Sequence, residues 1–380
     1  MIAVIADDFT GAAELAGIAL QYNLSVMLCT GDIVANNVDV LVLSTDSRSL
    51  NKAHAIEVTE KAVTALQKLH PAYIYKKVDS VLRGHVLDEL HVQLSFLGFE
   101  RALLLPSNPS LGRTIENKKY YINDTEISET SFANDPEFAI KDSSISAMLR
   151  SRKQLALSVL KVTDELPSHG VIVGEVKTEE DIDSWINRTD SSFIFAGGGD
   201  FFEKLLQKSF SKKPLTTEVN LALPHLYVSG TSFKNSADAI ENIAKNAGGV
   251  HYLSVALMQI SEDTDWFKQV SASIQENQKA VIAIDESLKQ TIAVSALELR
   301  QAMAKSVAEI VRNENISELF IEGGATAAAI LQELNLQNFV PVHQLLRGVI
   351  RMKALQKELY ITVKPGSYKL PKQLSELYLK

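Results

Sequence analysis

A single cysteine, Cys29, in 380 residues excludes an intrachain disulfide framework and any metal site built from several thiolates. Basic clusters are just as scarce. Lysine and arginine number 38 against 46 acids, for a formal net charge of −8, and Lys118-Lys119 and Lys212-Lys213 are isolated pairs on polar segments, so no nucleic-acid partner is expected. No apolar run approaches the roughly 18–20 residues that span a bilayer, so no membrane partner is expected either. The amino terminus enters a strand-like run directly and meets two acids by residue 8, which does not resemble a signal peptide and points to the cytoplasm. The phosphate loop Gly-x-x-x-x-Gly-Lys-Ser/Thr and the dinucleotide fingerprint Gly-x-Gly-x-x-Gly are both absent, which removes the main support for P-loop and standard dinucleotide-binding readings.

What remains is an ordinary globular composition, 46% hydrophobic and 22% charged, long enough for two domains. Short apolar runs alternate with amphipathic stretches. Ile2–Ala6, Val38–Ser44, Ala72–Lys77, Arg101–Leu105, Val171–Gly174 and Phe193–Ala196 read as strands, with a helix over Lys52–Leu69. The alternation resumes with strands at 226–228, 251–255, 280–284 and 319–321 and helices at 235–247, 295–313 and 326–334. Strands alternating with helices imply βαβ units and a mostly parallel sheet. Between Lys208 and His225 the pattern lapses into polar residues with two prolines, so the expected fold is α/β with two domains, 1–210 and 222–380, each a mostly parallel sheet flanked by helices. The active site is expected in the cleft between them.

Two strand ends in the first half carry chemistry. Ile2–Ala6 breaks into Asp7-Asp8-Phe9-Thr10-Gly11, and Tyr73–Val78 runs into Asp79-Ser80-Val81-Leu82-Arg83-Gly84. Open α/β sheets bind ligands at such ends. Arg83 or Lys77 could hold a carboxylate, with Arg83 favoured for its planar fork. Asp7, Asp8 and Asp79 can accept from hydroxyls, and one of them could take the proton of an attacking hydroxyl. The plain structural alternative is a local Asp79–Arg83 ion pair and a helix cap at Asp8.

In the second half, Glu322-Gly323-Gly324-Ala325-Thr326 joins a strand to a helix, and Ser229-Gly230-Thr231-Ser232 repeats the design. Small residues there leave backbone N–H groups free for an anion at the helix N-terminus. Lys364-Pro365-Gly366-Ser367 adds a cation and a third turn, so Ser229, Gly230, Thr231, Gly323, Gly324, Thr326, Lys364, Gly366 and Ser367 together look like a polyphosphate site. Gly197-Gly198-Gly199-Asp200 reads as a loop closing the first domain.

These motifs occur in the order seen in the four-carbon acid sugar kinases, which the chain resembles over nearly its whole length. They are Ala6–Ala12, Lys77–His85, Pro106-Ser107-Asn108-Pro109 with Gly112-Arg113, Val228–Thr231, Gly323–Ala327 and Lys364–Ser367. The resemblance implies a first domain that binds the sugar acid and a second that binds ATP. It also implies phosphorylation of threonate, erythronate or 3-oxo-tetronate at the terminal hydroxyl, with Mg²⁺ accompanying ATP. Asp8 and Asp79 are then the catalytic candidates, and Asp7, Thr10, Lys77, Ser80, Arg83 and Gly84 the substrate-binding ones. The chain departs from the family's usual residues at Val81, Ala325, Lys369, Asn235 and Ala239. A sugar-acid dehydrogenase and a non-catalytic sugar-acid-binding protein are the alternatives, and the metal ligands, the choice of base and a homo-oligomeric state are left open.

Overall fold

Most of the apolar runs become buried strands because they are covered on both faces, as a parallel sheet flanked by helices requires. The run expected as a strand at 251–255 gives only a partly exposed edge strand, Val250–Tyr252, and Val255 starts a short helix, because a strand paired on one side only is left open to solvent. The computed structural model describes residues 1–34, 37–134, 138–149, 155–213, 219–231, 233–258, 263–285 and 294–379. Part of the polar lapse, residues 214–218, and Ser232 lie outside them. The chain forms two compact units, Met1–Val26 with Ala35–Lys213 and Met27–Val34 with Pro214–Lys380.

The first unit holds β1 (Ile2–Ala6), β3 (Val40–Ser44), β4 (Ile74–Lys77), β5 (Arg101–Leu105), β9 (Leu157–Leu160), β10 (Gly170–Gly174) and β11 (Phe193–Gly197). Their order is β3-β1-β4-β11-β5-β10-β9, and every neighbouring pair is parallel. The helix Lys52–Gln67 buries Ala55, Thr59, Ala62, Val63 and Leu66, the three- and four-residue spacing of one helical face. Asn51 starts it by accepting from the His54 N–H at 3.1 Å. A separate antiparallel ribbon, β6 (Arg113–Glu116), β7 (Lys119–Ile122) and β8 (Thr125–Glu126), packs Ile115 and Tyr120 into the same core as Val81, Leu82 and Leu90. Its turns, Asn117-Lys118 and Asn123-Asp124, have positive φ at both residues, the two-residue turn that matches strand twist.

The second unit contains β12 (His225–Ser229), β13 (Val250–Tyr252), β14 (Lys279–Ala283), β15 (Glu318–Glu322), β16 (Asn338–Leu346), β17 (Val349–Ala354) and β18 (Tyr360–Lys364). Their order is β13-β14-β12-β15-β18-β17-β16. The first five are parallel, while β16 and β17 form an antiparallel hairpin that joins β18. The sequence reading assigns Met27–Val34 to the first domain, but it belongs here. The reason is hydrogen bonding: Leu28 and Cys29 of β2 (Val26–Cys29) pair with Phe339 and Asn338 of β16. The Ser295–Glu298 capping box opens the helix Ala296–Asn313, as a Ser-x-x-Glu sequence favours. Among the described residues no helix is long and apolar enough to cross a membrane.

Candidate functional site

The parallel register of the first unit lines up Ser44, Ala6, Lys77 and Gly197 at one edge. The loops after β3, β1, β4 and β11 all leave from it, with β1 flanked by β3 on one side and β4 on the other, the arrangement of a ligand-binding switch point. Asp8 caps the helix Phe9–Leu20. Its Oδ1 accepts from the Gly11 N–H at 3.0 Å and its Oδ2 from the Thr10 hydroxyl at 2.6 Å.

Arg48, in the loop after β3, organises the acids. Its Nε donates to Asp7 Oδ2 at 2.8 Å, and its Nη2 to Asp7 Oδ1 at 3.0 Å and Asp8 Oδ1 at 2.7 Å. Its Nη1 lies 3.8 Å from Asp79. Asp79 is gripped from the other side by Arg83, whose Nε and Nη2 donate at 2.7 and 3.0 Å. Lys77 donates to the Val78 carbonyl at 2.9 Å and lies 3.5 Å from Glu14. Ser80 takes a hydrogen bond from Arg113 on its hydroxyl and one from Tyr120 on its carbonyl. Gly84 follows with φ +87°, a left-handed conformation that favours glycine.

Burial acts to raise the Asp8 carboxyl, but Arg48, Lys77 and the Thr10 hydroxyl outweigh it and hold Asp8 below the ordinary 3.8. Asp79 is likewise raised by burial and lowered further by Arg83 and Arg48, ending well below the usual carboxylate range. Burial opposes the Arg48 charge, yet Asp7, Asp8 and Asp79 hold it well above its ordinary value. Asp8 and Asp79 are therefore held ionised at neutral pH.

Beneath it lies a buried support. Lys76 pairs with Glu89, both almost fully buried, and Glu89 Oε1 accepts from the Ser47 hydroxyl at 2.6 Å. Ser47 contacts the Thr45 hydroxyl at 2.9 Å, and Thr45 donates to the Ala6 carbonyl at 3.0 Å. Ser47 immediately precedes Arg48, so this chain fixes the loop that aims the guanidinium.

The second unit's edge is built differently. Register puts Ser229 beside Glu322 and Glu322 beside Lys364, so the three turns predicted from the sequence meet. The Gly230 N–H bonds the Glu322 carbonyl at 3.1 Å, and the Gly323 N–H bonds the Lys364 carbonyl at 2.9 Å. Gly323 has φ +104°, and the helix starts at Gly324 rather than after Thr326, with no side-chain cap. The N–H groups of that first turn lack intrahelical acceptors. A Cβ on Gly230 would overlap Thr326 Oγ1 and stand 2.6 Å from its Cγ2, which is how closely the two turns approach. Ser367 is exposed at the tip of the third turn, whereas Thr231 is half-buried.

Lys364 points inward. Fully buried, it pairs with Glu322 at 2.5 Å and donates to the Pro365 and Tyr368 carbonyls at 2.9 and 2.7 Å. Glu322 also accepts from Tyr227, Ser229 and Ser236. Burial lowers the Lys364 amine below its ordinary value despite Glu322.

Models of a sugar-binding N-terminal domain and a nucleotide-binding C-terminal domain match residues 2–205 and 226–368. The chain belongs to the four-carbon acid sugar kinase family. By that membership it is a phosphotransferase with an alcohol group as acceptor. Among similar proteins, the D-threonate kinase of Salmonella typhimurium is 23% identical over 375 residues, covering 88% of this chain and 87% of that protein. The 3-oxo-tetronate kinase of Brucella melitensis is 24% identical over 408 residues, covering 97% and 92%. A solved Haemophilus influenzae structure shares the fold with a TM-score of 0.75 at 19% identity, covering 99% of this chain and 98% of that one.

Within this family framework, Asp7, Asp8, Thr10, Lys77, Asp79, Ser80, Arg83 and Gly84 are brought to one edge. Both structural alternatives named for them are also realised, the Asp8 cap and the Asp79–Arg83 pair. Arg83 and Lys77, expected to hold a substrate carboxylate, each have an acid beside them already. The Gly197–Gly199 run is a strand-to-helix turn at the same edge, with the helix starting at Gly199, rather than a closing loop. Sequence reading does not single out Arg48, because nothing local marks one arginine in a polar loop as the centre of three acids. Arg113 stands out in the sequence only as part of the Gly112-Arg113 motif, although the Asn117-Lys118 turn signals the hairpin that carries it.

Proposed function

We propose that this protein is an ATP-dependent kinase of a four-carbon sugar acid such as threonate, erythronate or 3-oxo-tetronate, acting on the terminal hydroxyl. Residues 1–210 would bind the acid and 222–380 the nucleotide. The observation that carries this reading is the uncapped start of the helix Gly324–Glu333, packed against the Gly230 turn. Backbone N–H groups converging at a helix N-terminus suit the phosphates of ATP. The charged edge of the first unit suits a small molecule with several hydroxyls.

ATP supplies the phosphoryl group. Phosphoryl transfer asks the protein mainly for positioning and charge stabilisation. Asp8 is the better base of the two candidates, because both Asp79 oxygens accept from Arg83 whereas Asp8 Oδ2 accepts only the Thr10 hydroxyl among the described contacts. We assign Asp8 Oδ2 the proton of the attacking hydroxyl. A carboxylate held below its ordinary value is a weak base, and a loose transition state requires little more.

Among the described residues no Mg²⁺ site is complete without nucleotide. Glu322, the acid at the three turns, is saturated by Lys364 and three hydroxyls, and among the described residues no group of three His, Cys, Asp or Glu could hold a metal. Mg²⁺ that comes with ATP would need only one or two carboxylates besides the phosphates and water.

The test is a coupled ATPase screen over four- to six-carbon sugar acids. ATP turnover that depends on one four-carbon acid supports the reading. Turnover with none of them, or with a nicotinamide cofactor instead, overturns it.

A further inference from the structure

Each of the cations Arg48, Arg83, Lys77 and Lys76 at the first unit's edge already faces at least one acid. Arg48 sits against Asp7 and Asp8, Arg83 is bidentate on Asp79, Lys77 lies 3.5 Å from Glu14, and buried Lys76 is matched by Glu89. Arg113 is different. Among the described residues its guanidinium has one hydrogen-bond partner, the Ser80 hydroxyl, and no acid within ion-pairing distance.

An incoming carboxylate must exchange water for a cation that is not already neutralised, because desolvating it beside paired charges gains little. A guanidinium with unused donors meets it with two parallel N–H bonds. We infer that Arg113 receives the carboxylate of the sugar acid and sets the enzyme's preference for acids over neutral polyols. This rests on the sugar-acid reading above and replaces Arg83 as the carboxylate-binding residue. Arg83 then becomes the group that fixes Asp79.

The scaffold around Arg113 is built to hold it. Its N–H donates to the Asn108 carbonyl at 3.1 Å and its carbonyl accepts from the Asn108 N–H at 2.9 Å. The Asn108 side chain in turn accepts from the Asp200 N–H at 3.0 Å. The ribbon that starts at Arg113 is anchored by fully buried Tyr120, whose hydroxyl donates to the Ser80 carbonyl at 2.5 Å. Arg113 itself is half-buried, accessible to a small ligand and partly shielded from bulk water.

The experiment is calorimetric titration of wild type, Arg113→Gln and Arg113→Lys with threonate and with its neutral primary amide, which keeps the hydroxyls and lacks the charge. Arg113→Gln should weaken threonate binding by about thirtyfold, the scale of a lost charge-assisted contact, and amide binding by less than about threefold on the same scale. Arg113→Lys, which keeps the charge and loses the fork, should fall between them for threonate. Equal losses for acid and amide would make Arg113 merely structural, and unchanged threonate affinity would place the carboxylate elsewhere; either overturns the assignment. Should the glutamine variant fail to fold, the acid-to-amide ratio in the lysine variant decides alone. If wild type does not bind threonate, the same titration is run with erythronate or 3-oxo-tetronate and the matching neutral analogue. Wild-type protein that binds none of the three acids would overturn the sugar-acid reading itself, and this inference with it.

Discussion

The carboxyl edges of the two units use the same parallel-sheet geometry to opposite effect. In the first, charged side chains rise from the strand ends and hold one another in the proposed ligand-binding region, with Arg48 between Asp7, Asp8 and Asp79. In the second, the charges are withdrawn under the turns, Lys364 and Glu322 being fully buried against each other, and backbone is what the edge presents. A neutralised, buried lysine has little charge to offer a phosphate. What it does is tie β18 and the 365–368 turn to β15, so that the N–H groups of the neighbouring helix start are fixed. Side-chain acceptors and donors suit a ligand with several distinct hydroxyls, whereas N–H groups and a helix dipole suit phosphate oxygens of one kind.

The most damaging way to test this contrast is Arg48→Ala. It leaves three buried or nearly buried acids facing one another without their shared cation, and removing one partner of a buried ion pair costs about 3–5 kcal/mol. We expect kcat/KM on the best sugar acid to fall by at least about a thousandfold, roughly 4 kcal/mol, with stability lost at neutral pH. The sign of the pH effect follows from the lowered Asp8 and Asp79 values. In wild type their contribution is present above the ordinary carboxylate value and lost as pH falls through the lower folded values. The variant should therefore recover stability relative to wild type as its acids are protonated, so the gap in urea midpoint narrows from pH 7 to pH 4. A gap that widens on acidification would remove Arg48 from the centre of the cluster.

Much of this contrast is legible in the sequence, and the part that is not has a physical reason. Apolar runs that end in Asp-Asp-x-Thr-Gly or in Glu-Gly-Gly announce strand ends, because strand burial and turn chemistry are local. The meeting of the three turns in the second unit follows from strand order, which the motifs imply only once the parallel sheet is assumed. The inward turn of Lys364 has no local mark, since its partner Glu322 lies 42 positions away, and a lysine before Pro-Gly reads equally well as a phosphate ligand. Arg48 is hidden for the same reason. Pairing between distant parts of the chain also moves Met27–Val34 into the second unit: β2 has the composition of any buried strand, and only its partner β16 reveals where it belongs.

Lys364→Met asks whether the second edge works through backbone. Alone, the substitution strands buried Glu322 and should destabilise by about 3–5 kcal/mol. The double variant Lys364→Met/Glu322→Gln removes both charges while leaving an amide oxygen for Tyr227 and Ser229 and an amide N–H₂ that the Ser236 hydroxyl can accept from, and should recover most of that loss. The decisive measurement is ATP affinity of the double variant. Retention within about threefold, under 1 kcal/mol, means the lysine holds the turns and does not touch phosphate. A loss of a hundredfold or more in a folded double variant would make Lys364 a direct phosphate ligand that turns outward on binding, and the contrast between the edges would fail.

The mildest change is a single methyl group at the closest approach of two turns. Gly230→Ala puts a Cβ 2.6 Å from Thr326 Cγ2 and 2.8 Å from its Cβ, so the start of the helix Gly324–Glu333 must move by several tenths of an ångström. Overpacking of this kind costs about 1–3 kcal/mol. Because the proposed phosphate donors are the N–H groups of that first turn, ATP should bind about tenfold more weakly, near 1.4 kcal/mol, while sugar-acid binding is unchanged. Adding Thr326→Ala removes the nearest obstructing atoms and should restore part of the affinity if the effect is steric. If Gly230→Ala leaves ATP binding at the wild-type level, the helix start is not where the phosphates sit, and the second edge loses the feature that sets it apart from the first.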